Sequence, residues 1–89
     1  FNKGLAYYML GDYINATQAF EESVIQGREF GLGYYGLAMI AIQTGQAEIA
    51  VIQLKKAFSY NSSLLERMVI DPIFEELRNT KEFFEVLSK

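Results

Sequence analysis

The sequence has no cysteine and no histidine. Without cysteine there can be no disulfide and no thiolate nucleophile, and without histidine there is no imidazole for acid–base catalysis. The usual zinc sites, which rely on these two residue types, are excluded as well. We therefore predict no cofactor, no metal and no catalytic residues, while the missing cysteine leaves the localisation of the chain open.

Basic clusters and long apolar runs are also missing. Lysine and arginine number 8 against 11 acidic residues, which gives a net charge of -3, and the largest basic cluster is the pair Lys55 and Lys56. Proteins that bind nucleic acid concentrate positive charge on one face, so nucleic acid is not an expected partner. No apolar run approaches the roughly 20 residues of a membrane span, and we predict no membrane insertion.

The residues that are present indicate one small folded domain. The chain has 89 residues, of which 51% are hydrophobic and 21% charged, with a single proline. This composition is typical of a globular protein and leaves room for one domain only. Because the chain begins with Phe1 instead of methionine, we expect it to be a segment of a longer or processed protein.

An internal repeat organises most of the chain. Residues 10–24 match residues 44–58 at a constant offset, with Gly11 on Gly45 and Ala16 on Ala50. Apolar residues recur with helical spacing on either side of each glycine, which indicates helix, tight turn, helix. The predicted helices cover residues 2–10, 13–26, 30–44 and 47–59.

Beyond residue 61 the period fails, because Pro72 falls where the repeat places the interior of a helix. Three capping patterns predict three short helices in its place, over residues 64–70, 72–78 and 80–87. The patterns are Ser63 with Glu66, Asp71 with Pro72, and Asn79 with Glu82. We expect their apolar residues, including Phe74 and Leu77, to close the end of the stack.

These patterns resemble the tetratricopeptide repeat family over essentially the whole chain. The leading helix of the family carries a bulky residue, a leucine and a small residue, which match Tyr34, Leu37 and Ala38. Its second helix carries alanine, a bulky apolar residue and alanine, which match Ala50, Leu54 and Ala57. Two features depart from the family: Phe1 begins inside the first leading helix, and no proline closes either full repeat.

The resemblance implies an all-α fold in which antiparallel helix–turn–helix repeats stack as a short right-handed α-solenoid. We expect residues 1–89 to form a single domain. Residues 1–30 would be a first repeat truncated at its start, residues 31–64 a second repeat, and residues 65–89 a variant unit of capping helices.

One motif points to a different function, because Gly31, Gly33 and Gly36 spell G-x-G-x-x-G, the fingerprint of dinucleotide binding. That motif requires a preceding strand, whereas an amphipathic helix is predicted before it, so we do not expect nucleotide binding. We interpret Gly31 and Gly33 as a flexible helix start and Gly36 as a loosely packed position. The alternative for Gly36 is the close approach of another helix or a ligand.

For function, the resemblance implies a scaffold whose leading helices line a concave groove that binds a peptide or an amphipathic helix of a partner protein. Most residues at the family's groove positions are apolar here, and a large exposed apolar patch usually marks an interface. The predicted groove consists of Phe1, Asn2, Leu5, Tyr8, Met9, Leu32, Tyr35, Gly36, Met39, Ile42 and Gln43.

Relatives that bind a terminal carboxylate use lysine, asparagine and arginine at five groove positions. In this chain those positions are filled by Phe1, Leu5, Gly36, Glu66 and Ile70, so a carboxylate clamp of that type is not expected.

Three alternatives remain open at the level of sequence. The groove residues could be core, covered by a preceding helix or by the third unit. The groove or the N-terminal end of the stack could instead pair with a second copy of the chain. Catalysis is the most remote reading, because Glu21–Glu22 and Glu75–Glu76 are adjacent in helices and cannot easily share a substrate. We expect no small-molecule substrate.

Overall fold

The structure is a computed structural model that describes residues 2–26, 31–81 and 83–84. In these residues the chain forms α-helices and 3-10 turns and no strand, as predicted for an all-α fold. The helices are α1 Asn2–Met9, α2 Tyr13–Gln26, α3 Leu32–Gln43, α4 Ala47–Tyr60 and α5 Ser63–Ile70, followed by the 3-10 turns Pro72–Phe74 and Leu77–Asn79.

The first four helices form two helical hairpins that pack side by side. Helix α1 contacts α2, α2 contacts α3, and α3 contacts α4. The leading helices α1 and α3 also touch each other, and α5 packs on α4. This order of contacts confirms the predicted helical repeat.

The two hairpin turns have the same hydrogen bonds at equivalent positions of the repeat. The amide of Asp12 donates to the carbonyl of Tyr7 at 2.9 Å, and the amide of Gln46 donates to Ala41 at 2.7 Å. Each turn contains a glycine with a positive φ angle, 79° at Gly11 and 74° at Gly45. Glycine adopts this conformation at the end of a helix without strain. The predicted turns are therefore confirmed.

The core is built from the repeated apolar positions, and Phe20 is its centre. Phe20 has no exposed surface, and its ring lies directly against the backbones of Gly4 in α1 and Gly36 in α3. A Cβ atom on Gly4 would come within 2.5 Å of Phe20 Cε1, and one on Gly36 would also collide with the ring. The interpretation of Gly36 as loosely packed is wrong, because another helix approaches it closely.

The interpretation of Gly31 and Gly33 as a flexible helix start is also wrong. Gly33 is buried, and a Cβ atom there would lie 2.9 Å from the carbonyl oxygen of Phe20. Gly31 precedes α3 with a φ of 97°, and its carbonyl accepts a hydrogen bond from the amide of Tyr35 at 3.0 Å. The glycines of this motif therefore let α3 pack against its neighbours.

Helix α5 has a different cap from the one predicted. Ser63 is the first residue of the helix, and Ser62 before it makes no side-chain cap hydrogen bond. Instead, Oδ1 of Asn61 accepts from the Ser63 amide at 3.1 Å and from the Ser63 hydroxyl at 2.6 Å. The predicted start of α3 at residue 30 lies outside the described residues.

The predicted helix over residues 72–78 is wrong, since two separate 3-10 turns take its place. Asp71 caps the first turn as predicted, because its Oδ1 accepts from the Ile73 amide at 3.1 Å. Phe74 and Leu77 are three residues apart and both are buried, so the tight winding of this segment turns both side chains toward the core. Of the last predicted helix, residues 81, 83 and 84 are helical, whereas Thr80 is extended and follows the second 3-10 turn. Glu82 of its capping pattern and residues 85–87 lie outside the described residues.

Candidate partner-binding groove

The part of the predicted groove that α3 supplies is largely covered. Tyr35 has no exposed surface, Met39 is 2% exposed, and Gly36 is buried. Leu32 and Ile42 are half-buried, and Gln43 is exposed. We call these six residues the α3 half of the groove. This half of the predicted groove is therefore not an open apolar patch.

Residues 71–77, which we call the strap, lie on the α3 half. The hydroxyl of Tyr35 donates a hydrogen bond to Oδ2 of Asp71 at 2.8 Å. The ring of Phe74 meets the Tyr35 ring edge to face, with centroids 5.3 Å apart and planes at 70°. This is the favourable geometry for two aromatic rings. The third unit thus fills this half of the groove, which was one of the alternatives open from the sequence.

Two arginines support this arrangement, one at the strap and one at Tyr35. Nη1 of Arg78 donates to the carbonyl of Met68 at 3.1 Å and to that of Asp71 at 3.0 Å, joining the end of α5 to the start of the strap. The guanidinium of Arg67 lies 5.3 Å from the centre of the Tyr35 ring, within the range of a cation–π contact. Sequence reasoning did not find either role, because both depend on how the strap folds back.

The environment of Tyr35 strongly favours its neutral form. Burial raises the pKa of its hydroxyl well above the ordinary value of 10.0, and the hydrogen bond to Asp71 and the charge of that carboxylate raise it further. The positive charge of Arg67 acts in the opposite direction. Tyr35 is therefore a hydrogen-bond donor throughout the physiological pH range.

The part supplied by α1 is more open. Met9 is 77% exposed, and Leu10 and Ile14, which flank the turn after α1, are exposed as well. Apolar side chains are thus available to a partner at this end of the groove. Phe1 lies outside the described residues. We call the described members of this part the α1 half of the groove: Asn2, Leu5, Tyr8 and Met9.

Tyr8 combines a buried position with an unpaired hydroxyl. The residue is 8% exposed, its ring lies 5.6 Å from that of Tyr13, and its buried hydroxyl oxygen has no hydrogen bond within the described part of the chain. Burial raises its pKa, and the charge of Asp71 raises it as well. The amide of Gln43 lies near enough to favour the ionised form, but the two groups do not meet at hydrogen-bonding geometry.

Comparison with known families assigns the architecture. The model of the tetratricopeptide repeat family matches residues 1–24 and 33–64, which is more than half of the chain. The chain belongs to the tetratricopeptide repeat family. Searches of curated proteins and of solved structures gave no significant match. Tetratricopeptide repeats generally mediate protein–protein interaction, and the family is typically a non-enzymatic scaffold.

The tetratricopeptide register distinguishes two neighbouring tyrosines in α3. Tyr35 points to the strap, whereas Tyr34 stacks on Tyr60 of α4, with ring centroids 5.7 Å apart and planes at 11°. The ammonium group of Lys56 lies 5.7 Å from the centre of the Tyr34 ring. Tyr34 therefore belongs to the packing between the two helices of the second repeat, and Tyr35 to the groove.

The described residues of the repeat protein lack the features of a metal site and of a membrane span. No three acidic, histidine or cysteine side chains come together there as metal ligands would. Within the same residues, no helix is long and apolar enough to cross a membrane.

Proposed function

We propose that the chain is a protein-binding scaffold that holds an apolar peptide or an amphipathic helix of a partner in its groove, beginning at the α1 half. The observation that carries this proposal is the exposure of Met9, a large apolar side chain at a groove position. Leu10 and Ile14, close to Met9 in the sequence, are exposed apolar side chains as well. A patch of this kind on a monomer usually marks an interface.

The composition of this surface favours a partner that binds by apolar burial. Methionine is flexible and polarizable and adapts to different apolar ligands, and the exposed amide of Gln43 can pair with a polar group at the rim. No described member of the groove carries a charge. Binding is therefore expected to depend little on salt, because screening weakens only charged contacts.

A peptide-display selection on the immobilised chain tests the proposal. The selected peptides are titrated against the chain and against Met9→Asp, which places a charge in the groove. Ile52→Asp serves as the matched control, because Ile52 is an exposed isoleucine on the trailing helix α4, outside the groove. We expect Met9→Asp to weaken binding about tenfold or more, which corresponds to about 1.4 kcal/mol, and Ile52→Asp to leave it unchanged. Peptides that bind both variants equally would contradict the proposal.

Self-association is a second candidate function, because the same exposed side chains can meet those of another copy. Light scattering behind a sizing column, over at least a tenfold range of concentration around micromolar, separates the two cases. A dimer that grows with concentration and is lost in Met9→Asp would favour self-association. A monomer at every concentration would leave the groove to a different partner.

A further inference from the structure

The strap identifies a chemistry that fits the α3 half of the groove. It presents an acidic residue, Asp71, and an aromatic residue three positions later, Phe74, within one turn. The carboxylate accepts from the hydroxyl of Tyr35 at 2.8 Å, and the aromatic ring packs edge-on against the Tyr35 ring at 5.3 Å. Both contacts converge on one groove side chain, which is fully buried beneath them.

The strap uses only one of two hydroxyl groups that the groove offers. The hydroxyl of Tyr8 is buried and has no hydrogen-bond partner in the described residues. The carboxylate of Asp71 pairs with the hydroxyl of Tyr35, and its charge raises the pKa of both tyrosines. A buried hydroxyl without a partner costs free energy that a better acceptor would recover.

The winding of the strap is less regular than that of the helices around it. It consists of the 3-10 turns Pro72–Phe74 and the beginning of Leu77–Asn79, and 3-10 turns have poorer hydrogen-bond geometry than an α-helix. Its advantage is its attachment to α5, which gives it a high effective concentration at the groove. A separate segment with a better fit can compete with such an occupant.

We propose that residues 71–74 are an internal stand-in for a partner segment of the same chemistry, an acidic residue followed three positions later by an aromatic one. This segment replaces the strap on Tyr35 and pairs with Tyr8 as well. The inference rests on the proposed function, and it extends the binding site from the α1 half to the α3 half of the groove.

A fluorescent peptide with the sequence of residues 70–80 tests the inference by anisotropy. In the natural chain the strap competes with the peptide. In the Asp71→Ala chain the internal competitor has lost its bond to Tyr35, and we expect the peptide to bind at least tenfold more tightly. Circular dichroism checks that the variant is folded. If it is not, Asp71→Asn, which keeps the shape of the side chain and removes its charge, takes its place.

Matched peptides and chain variants locate the contacts. A peptide with Asp71→Ala or one with Phe74→Ala should lose most of its binding. In the Asp71→Ala chain, Tyr35→Phe should weaken the binding of the unsubstituted peptide severalfold, while Tyr34→Phe should leave its affinity unchanged. Tyr8→Phe should weaken the binding of peptides selected by display. It should leave the binding of the peptide with the sequence of residues 70–80, which we call the strap peptide, unchanged. Equal binding of all these peptides to all these variants would overturn the inference.

The display selection separates this inference from the function on which it rests. Selected peptides with an acid and an aromatic residue three apart that compete with the strap peptide would support both. Peptides that need Met9 but lack this pattern and do not compete would overturn the inference alone. No selected peptide, together with no binding of the strap peptide, would overturn both. If the chain forms a dimer and the strap peptide dissociates it, the groove binds a second copy of the chain, and the inference is contradicted.

Discussion

The two halves of the groove come from equivalent helices but differ in what lies on them. Leu5 in α1 and Met39 in α3 occupy the same position of the repeat, yet Leu5 is half-buried and Met39 is 2% exposed. The strap packs on α3 through Tyr35, whereas Met9 at the end of α1 is exposed. The position in the repeat therefore does not determine by itself whether a groove residue is open, because Tyr35 in α3 is covered by a segment that follows the repeats.

The largest effect is expected from removing the aromatic ring of the strap. Phe74 has no exposed surface, whereas Phe84 is 67% exposed. Phe74→Ala should lower the free energy of unfolding by about 3–5 kcal/mol, as for other buried phenylalanines. Phe84→Ala is the control and should have a small effect. Both are measured by urea denaturation, and a small loss for Phe74→Ala would mean that the strap does not cover α3.

The next largest effect should come from the bond between α3 and the strap. Tyr35→Phe removes the hydroxyl that donates to Asp71, and hydrogen bonds to charged groups contribute about 1.5–3 kcal/mol. The neighbouring substitution Tyr34→Phe is matched in size, and the hydroxyl of Tyr34 makes no hydrogen bond within the described residues. The difference between the two midpoints of urea unfolding measures the contribution of the strap bond. Equal midpoints would argue against it.

Alkaline pH should weaken the covered half of the groove. Burial in the folded state raises the pKa of the Tyr35 hydroxyl above the ordinary value of 10.0. Between pH 10 and this raised pKa, the unfolded chain has released a proton that the folded chain keeps. The contribution of Tyr35 to the free energy of unfolding is therefore fully present below pH 10. It decreases as the pH rises, by at most about 1.4 kcal/mol per pH unit for one group. Urea unfolding from pH 8 to 11 should show this decline, with a shallower slope in Tyr35→Phe. An equal slope in that variant would contradict the assignment.

The smallest effect is expected in the α1 half from the same type of substitution. Tyr8→Phe removes a buried hydroxyl that has no partner among the residues that the structure describes, and deleting an unpaired polar group is nearly neutral or stabilising by about 1 kcal/mol. The changes in the free energy of unfolding caused by Tyr8→Phe and Tyr35→Phe should thus differ in sign or clearly in size. A loss for Tyr8→Phe as large as that for Tyr35→Phe would show that Tyr8 has a hydrogen-bond partner.

Local patterns predicted much of the fold. The constant offset between the two repeats placed the hairpins, and the glycines at positions 11 and 45 marked turns that have matching hydrogen bonds. Asp71 was recognised as a cap from its proline neighbour, and its bond to the Ile73 amide agrees. These features depend on residues close in the sequence or on the repeat itself, so periodicity and capping rules can find them.

Contacts between distant residues could not be predicted in the same way. The bond from Tyr35 to Asp71 joins residues 36 positions apart, and nothing in the repeat indicates that the third unit folds back onto α3. Gly36 was misread for the same reason, because its conformation is ordinary and only the ring of Phe20 explains the missing side chain. The open or covered state of the groove is therefore a tertiary property.

The most direct test of this account is a double-mutant cycle between Tyr35→Phe and Asp71→Ala, measured by urea unfolding. Asp71 also caps the Ile73 amide, but the cycle removes that contribution and leaves the coupling between the two side chains. If the strap covers α3 through this bond, the coupling should be about 1 kcal/mol or more. A coupling near zero would contradict the account, because the strap would then not be docked on Tyr35.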